Sequence, residues 1–202
     1  MKIGIYGGTF NPIHKGHTSL AKYLVRKGFV DEVWIMVSPQ NPLKNSNDAV
    51  NFEDRIQMAR IATRRIKGVV VSDFEGHLPI PSYTISTLNA LSQEYPQHTF
   101  SLIIGADNWE RFSKWYKADE IKENYDIIVY QRPGCEKIEL PSCHLQNTTS
   151  HTVIPVSNKL YDISSTEVRQ RVFNNQPLDK MINKDVETYI HKHSLYTTNL
   201  FK

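Results

Sequence analysis

A segment rich in glycine and histidine follows the first apolar stretch of the chain and decides its fold class. It reads Gly7-Gly8-Thr9-Phe10-Asn11-Pro12-Ile13-His14-Lys15-Gly16-His17. The residues before it, Lys2 to Tyr6, predict a buried strand, and those from about Gly16 to Lys27 predict a helix. Glycines between a strand and a helix let backbone N–H groups approach an anion, and the positive end of the helix points at the same place. The segment therefore predicts a phosphate-binding turn, with His14 and His17 as ring N–H donors.

The rest of the chain continues the alternation of strands and helices. Five further strands are predicted over Glu32–Val37, Val69–Ser72, Thr99–Ile104, Asp126–Tyr130 and Val153–Val156. Four further helices are predicted over Phe52–Ile66, Tyr83–Gln93, Ser165–Phe173 and Lys184–Lys192. This order implies an α/β fold with a doubly wound parallel sheet, whose ligands bind at the edge formed by the strand C-terminal ends. We expect one domain over residues 1–202, with a small C-terminal helical part.

Composition narrows the classes of protein that the chain can represent. The 202 residues are 40% hydrophobic, and 24 Lys and Arg against 21 Asp and Glu give a net charge of +3. Low-complexity and wholly disordered chains are excluded, and so mild a charge argues against nucleic-acid and acidic-membrane partners. No apolar run approaches the roughly 20 residues of a membrane span. The first residues read as a strand rather than a signal peptide, and the two cysteines form no CxxC pair, so we expect a cytoplasmic location.

A second polar segment, near the C-terminus, reads Ile163-Ser164-Ser165-Thr166-Glu167-Val168-Arg169. Its hydroxyls are typical of a helix N-cap, and Arg169 lies one turn further along the same face. Hydroxyls, helix N–H groups and a guanidinium together make a phosphate clamp. Each segment also has a plainer interpretation: a capping box with a solvated arginine here, and a tight turn with two capping histidines at the first loop.

Three other site classes fit the sequence poorly. A zinc site at His14 and His17 would need a third ligand, and none is evident. The absence of GxGxxG and GxxxxGK[ST] patterns argues against a dinucleotide-binding dehydrogenase and a P-loop kinase.

The two segments together resemble the nucleotidylyltransferase superfamily, which carries Gly-Thr-Phe-x-Pro-x-His-x-Gly-His near the start and Ile-Ser-Ser-Thr-x-x-Arg near the end. Three stretches between them resemble, more narrowly, the bacterial nicotinate-nucleotide adenylyltransferase family. They are Pro81-Ser82-Tyr83-Thr84, Ile103-Ile104-Gly105-Ala106-Asp107-Asn108 followed by Trp115, and Arg132-Pro133-Gly134. The chain departs from the family at Leu43, where the family often has a histidine, and Leu43 cannot donate a hydrogen bond.

The resemblance implies a role for each matching residue. The ATP phosphates would lie between Gly7, Gly8, Thr9, Phe10, His14 and His17 on one side and Ser164, Ser165, Thr166 and Arg169 on the other. Gly105 and Asp107 would line the adenosine pocket, and Lys44 would steady a phosphate. The acceptor nucleotide would meet Ser82, Tyr83, Thr84, Trp115 and Arg132. The catalytic set would be His14, His17, Lys44 and Arg169.

The implied reaction joins the AMP part of ATP to nicotinate mononucleotide, with Mg²⁺ held by phosphate oxygens and water and no metal ligand from the protein. The alternatives are a nicotinamide mononucleotide or dual-specificity enzyme, and a nucleotide-binding module without turnover. The sequence does not determine the oligomeric state, and a homo-oligomer is compatible with it. It also does not determine the roles of residues 133–150 and of the tail after Leu195. Three residues have plainer interpretations: Trp115 as core beside Phe112, Lys44 as a surface lysine, and Arg55 as a surface ion-pair residue.

Overall fold

The fold is a six-stranded parallel sheet with helices on both faces. The computed structural model describes residues 1–39, 50–131, 153–156 and 163–197, with the stretch 153–156 described by its backbone alone. The strands are β1 (Lys2–Gly8), β2 (Glu32–Val37), β3 (Val69–Ser72), β4 (Thr99–Gly105), β5 (Asp126–Tyr130) and β6 (Val153–Val156). Their order across the sheet is β3-β2-β1-β4-β5-β6, and every neighbouring pair is parallel. The doubly wound sheet expected from the alternating pattern is confirmed.

The described helices cover both faces of this sheet. They are α1 (Lys15–Arg26), α2 (Phe52–Thr63), α3 (Thr84–Glu94), α4 (Ala106–Trp109), α5 (Ala118–Asn124), α6 (Ser165–Phe173) and α7 (Lys184–Lys192). Short 3₁₀ helices lie at Phe74–His77 and Phe112–Lys114. Within the described ranges, no helix has both the length and the apolar character needed to cross a bilayer.

Helix ends follow local capping chemistry. The Asn51 side chain accepts from the Asp54 N–H at 2.8 Å and begins α2 as predicted. That helix ends at Thr63, three residues before the predicted Ile66, because the Ile66 N–H turns back to the Thr63 carbonyl. Gly68 then adopts a φ of +76°, which leads the chain into β3.

The core lies in two layers because successive strand side chains point to opposite faces. Tyr6 and Ile103 belong to the layer under α1, α2, α6 and α7. Ile3, Ile5 and Leu102 belong to the other layer, with the buried side chains of α3 and α5. Burial on both faces explains why the strands are continuous apolar runs in the sequence.

An open crevice forms where the strand order reverses. β1 connects to β2 on one side and is followed across the sheet by β4, so the switch point lies between β1 and β4. Their ladder ends at the Tyr6–Ile103 pair, although the strands continue to Gly8 and Gly105 along their other neighbours. The strand ends therefore part at the position where sheets of this order bind ligands.

Candidate active site

The floor of the crevice on the β1 side is the glycine pair Gly7-Gly8. A Cβ added to Gly7 would meet no atom within 4 Å, so the chain there faces open space. Gly8 is closed from behind, since a Cβ there would lie 3.3 Å from the Phe10 ring. Phe10 itself is buried and packs edge-on against His17 with ring centroids 5.0 Å apart. The Phe10 ring thus supports the loop from behind.

The two histidines of the first loop stack on each other at the start of α1, with ring centroids 3.6 Å apart and planes 24° apart. The backbone N–H of His14 donates to Nδ1 of His17 at 3.2 Å. Since a backbone amide is always the donor, Nδ1 is the unprotonated nitrogen, and the neutral ring carries its proton on Nε2. His17 therefore caps the helix with one nitrogen and presents an N–H with the other. The capping interpretation of His17 is confirmed, and its role in phosphate binding stays a prediction.

The start of α6 is fastened to the same loop. Ser164 caps the helix by accepting from the Glu167 N–H at 3.0 Å. Ser165 Oγ donates to the Pro12 carbonyl at 2.9 Å, and Arg169 Nη1 donates to the Asn11 carbonyl at 2.8 Å. These contacts join sequence segments more than 150 positions apart. We call residues 7–17 together with the first turn of α6 the phosphate side of the crevice.

Arg55 is a buried brace of the phosphate side, and its interpretation as a surface ion-pair residue is wrong. It is 1% exposed. Its Nε donates to the Val50 carbonyl at 2.9 Å and its Nη1 to the Thr9 carbonyl at 2.8 Å. Its Nη atoms also reach the carbonyls of Ser38 at 2.7 Å and Pro39 at 2.9 Å. The helix turns this side chain inward because its donors fit a set of inward-facing carbonyls.

Burial also changes the electrostatics of Arg55. Desolvation lowers the pKa of its guanidinium, and the group remains a cation at neutral pH because its ordinary value is so high. Its nearest aromatic contact is the Phe52 ring, 5.5 Å from the guanidinium carbon. The phosphate side is therefore backed by a positive charge that is held through carbonyl oxygens.

The β4 side of the crevice carries the residues expected near adenosine. Gly105 ends β4 and is the N-cap residue of α4, and Asp107 lies in the first turn of that helix. Asp107 is half-buried. The register places Gly105 level with Gly8 across the crevice, since Tyr6 pairs with Ile103.

A second loop is held by one buried carboxylate and is joined to the phosphate side through Ser38. Glu75 is 7% exposed and accepts hydrogen bonds from Ser82 at 2.9 Å and Thr87 at 3.4 Å through Oε1. Its Oε2 accepts from Ser38 Oγ at 2.5 Å. Ser82 therefore turns its hydroxyl inward, onto Glu75. We call residues 80–84 with Trp115 and Tyr116 the acceptor side.

The acceptor side exposes aromatic surface. Tyr83 and Tyr116 lie ring to ring with centroids 4.6 Å apart, and both are exposed. Trp115 is half-buried and contacts the Phe112 ring at 5.3 Å, while its neighbour Phe112 is fully buried. Trp115 is thus partly core and partly surface.

The structure brings together most of the residues that the sequence singled out. Lys44 and Arg132 lie outside the described residues. Three residues with a structural role at the site lie in no motif, namely Arg55, Glu75 and Tyr196, and a fourth, Asn11, stands at a variable position of the first motif. For Glu75, the one signal in the sequence was its position as an acidic residue seven places before Ser82.

Comparisons with known proteins identify the family of this chain. The chain matches the cytidylyltransferase-like family over residues 5–171. It is 42% identical over 192 residues to a probable nicotinate-nucleotide adenylyltransferase of Bacteroides fragilis, covering 94% of this chain and 87% of the relative. A probable nicotinate-nucleotide adenylyltransferase of Flavobacterium johnsoniae is 38% identical over 199 residues, covering 97% and 99% of the two chains.

A solved structure supports the fold. The nicotinic acid mononucleotide adenylyltransferase of Plasmodium falciparum complexed with NaAD superposes with a TM-score of 0.80, at 20% identity over 98% of both chains. That likeness establishes the fold, and the sequence relatives establish the family. The chain therefore belongs to the cytidylyltransferase-like family and, within it, to the nicotinate-nucleotide adenylyltransferases.

Proposed function

We propose that this protein transfers the AMP part of ATP to nicotinate mononucleotide, giving nicotinate adenine dinucleotide and pyrophosphate in NAD biosynthesis. One observation carries the proposal beyond family membership. The hydrogen bonds from Ser165 and Arg169 to the carbonyls of Pro12 and Asn11 assemble two distant phosphate-binding motifs at the open end of β1. The length and charge of a triphosphate suit donors from both of these segments.

The chemistry is a direct in-line displacement. A phosphate oxygen of the acceptor nucleotide forms a bond to the α-phosphorus of ATP, and the bond to the bridging oxygen of pyrophosphate breaks. His17 Nε2 and Arg169 donate to phosphate oxygens as charge accumulates on them, with the Gly7-Gly8 backbone against the same group. Positioning and electrostatic stabilisation supply the rate, and no covalent enzyme intermediate is needed.

Mg²⁺ fits this site as a partner of ATP. Within the ranges that the structure describes, no three His, Cys, Asp or Glu side chains cluster closely enough to hold a metal. The donors at the crevice are imidazole, guanidinium and hydroxyl groups, which suit anions. We assign the ion to phosphate oxygens and water, where it would neutralise charge on the leaving pyrophosphate.

The acceptor nucleotide is proposed to bind the acceptor side. Trp115 offers a ring face for the pyridine, and the backbone N–H groups at Tyr83 and Thr84 suit its carboxylate. Lys44 and Arg132 are proposed to contact phosphates.

The proposal includes the cytoplasm as location, supported by the lack of a CxxC pair in the sequence.

Pyrophosphate release from ATP and Mg²⁺ tests the proposal, with nicotinate and nicotinamide mononucleotides as parallel acceptors. We expect a strong preference for the acid. Comparable rates would make the protein a dual-specificity enzyme. No release with either acceptor, together with ATP binding in equilibrium dialysis, would replace the proposal by a nucleotide-binding module.

A further inference from the structure

The chain turns back after α7 and buries Tyr196 behind the phosphate side. The N–H groups of Ser194 and Leu195 bond to the carbonyls of His191 and Ile190, at 3.2 and 3.0 Å, and end the helix. Tyr196 is 3% exposed, and its hydroxyl lies 2.8 Å from Asn11 Oδ1. A tail that only covered the surface would leave this phenol exposed, so its burial indicates a role behind the first loop.

The direction of that hydrogen bond is fixed by a third group. The backbone N–H of Val50 also reaches Asn11 Oδ1, at 3.4 Å. Because an amide N–H only donates, this atom of Asn11 is the carbonyl oxygen, and the Tyr196 hydroxyl is the donor to it. The Asn11 side chain therefore points away from the open crevice and towards the tail.

Asn11 joins the tail to a proposed phosphate ligand. Its main-chain carbonyl accepts from Arg169 Nη1 at 2.8 Å, while its side chain accepts from Tyr196. Asn11 also stands three positions before His14 in the loop. One residue thus links α6, the first loop and the end of the chain.

The surroundings keep Tyr196 in its donor form. Burial raises the pKa of its hydroxyl far above the ordinary value, and this effect exceeds the opposing attraction of the Arg169 and Arg55 charges. The hydroxyl therefore stays protonated at physiological pH. The protonated hydroxyl donates to Asn11 and forms no ion pair with Arg169 or Arg55.

We propose that Tyr196 is a positioning residue for the ATP phosphate site, which holds Asn11 and thereby the placement of Arg169 and the first loop. It touches no substrate, and its effect is on ATP and not on the acceptor nucleotide. The inference rests on the proposed function for its kinetic readout. Its binding readout, the affinity for Mg·ATP, needs no turnover.

The experiment compares Tyr196→Phe with Tyr189→Phe in the full chain. Both changes remove one phenol hydroxyl from the same end of the molecule, because Tyr189 on α7 donates to Asp54 at 2.7 Å. We measure Mg·ATP affinity by equilibrium dialysis, kcat and both KM values, and the thermal midpoint. We expect Tyr196→Phe to weaken ATP affinity or kcat/KM for ATP about fivefold to tenfold, with the acceptor KM within about twofold.

Tyr189→Phe should lower the thermal midpoint by a similar amount and leave the ATP parameters at wild-type values. Equal ATP parameters in the two variants would overturn the proposal. If Tyr196→Phe does not fold, Asn11→Ala removes the same hydrogen bond from the other partner and is expected to weaken ATP in the same assays; wild-type ATP affinity there would overturn it too. A wild-type protein that binds ATP without turnover would refute the proposed function, and dialysis would still decide the role of Tyr196.

Discussion

The two sides of the crevice are each braced by a buried charged residue, Arg55 or Glu75, but they differ in what they leave at the surface. The phosphate side is backed by buried polar groups, with Arg55 1% and Tyr196 3% exposed, and each donates to the loop that it supports. The acceptor side leaves Tyr83 40% and Tyr116 53% exposed, and its loop is fixed from below by Glu75.

This difference matches the chemistry of the two proposed ligands, a charged phosphate chain and an apolar pyridine ring. Donors that are already in place stabilise phosphate charge most strongly, because they need no reorganisation when charge develops. A pyridine ring rewards apolar surface that it can cover on binding. We therefore expect substitutions on the phosphate side to change the ATP parameters first, and substitutions on the acceptor side to change the acceptor parameters first.

The largest effect is expected at His17. His17→Ala should lower kcat roughly a thousandfold, with a much smaller rise in KM, because a donor to the transition-state charge is lost. His17→Asn separates this role from helix capping, since its amide oxygen takes about the place of Nδ1 while nothing replaces Nε2. We expect the asparagine variant to keep the wild-type thermal midpoint and remain slow in steady-state assays. Recovery of kcat in it would show that His17 acts through the cap.

Arg55 tests whether the buried brace sets the order of the phosphate side. Arg55→Met keeps the apolar stem and removes donors to several carbonyls, so the free energy of unfolding should fall by about 3 kcal/mol in urea denaturation. Arg60→Met is the matched control on the same helix, because its ion pair with Asp73 is half-exposed and worth under about 1 kcal/mol.

Activity sharpens the same comparison. At temperatures below its unfolding transition, Arg55→Met should have a raised KM for ATP and a nearly unchanged KM for the acceptor. An equal rise of both KM values would mean that the two sides are not organised separately.

Trp115 tests the open surface of the acceptor side. Trp115→Ala should raise the acceptor KM about tenfold through loss of stacking and covered area, with little change for ATP. Trp115→Phe keeps a ring face and should recover most of the affinity. Failure of phenylalanine to recover it, with a lowered thermal midpoint in both variants, would assign Trp115 to the core beside Phe112.

Glu75 gives the smallest expected effect. Glu75→Gln keeps the shape of the side chain and replaces a charged acceptor of three hydroxyl donors by a neutral one. The acceptor KM should rise about fivefold, since hydrogen bonds to a charged group are the stronger ones. Asp73→Asn, two positions away and half-exposed, is the control and should leave both KM values unchanged. An effect of Glu75→Gln on ATP alone would contradict the assignment of this loop to the acceptor.

The sequence predicted the sheet well because its strands are buried on both faces and therefore contain unbroken apolar runs, such as Ile127–Tyr130 in β5. It did not predict α4 (Ala106–Trp109) or α5 (Ala118–Asn124), because a periodic pattern needs more residues than one or two turns supply. His17 and Arg169 could be singled out because their motifs are local.

The supporting residues were missed because their partners are distant. Arg55 meets Thr9 across 46 positions, and Tyr196 meets Asn11 across 185. In the sequence, Arg55 stands beside Glu53 and Asp54 and looks like part of a charged helix surface. Only the arrival of carbonyl groups from other loops makes its position interior.

The contacts of Arg55 also have a consequence for how this enzyme can change. One guanidinium binds the carbonyls of Pro39 and Val50, which flank the segment 40–49. The described chain on either side of that segment is thus held by one side chain from α2. A single substitution at Arg55 would therefore release two points of the chain at once, Pro39 after β2 and Val50 before α2.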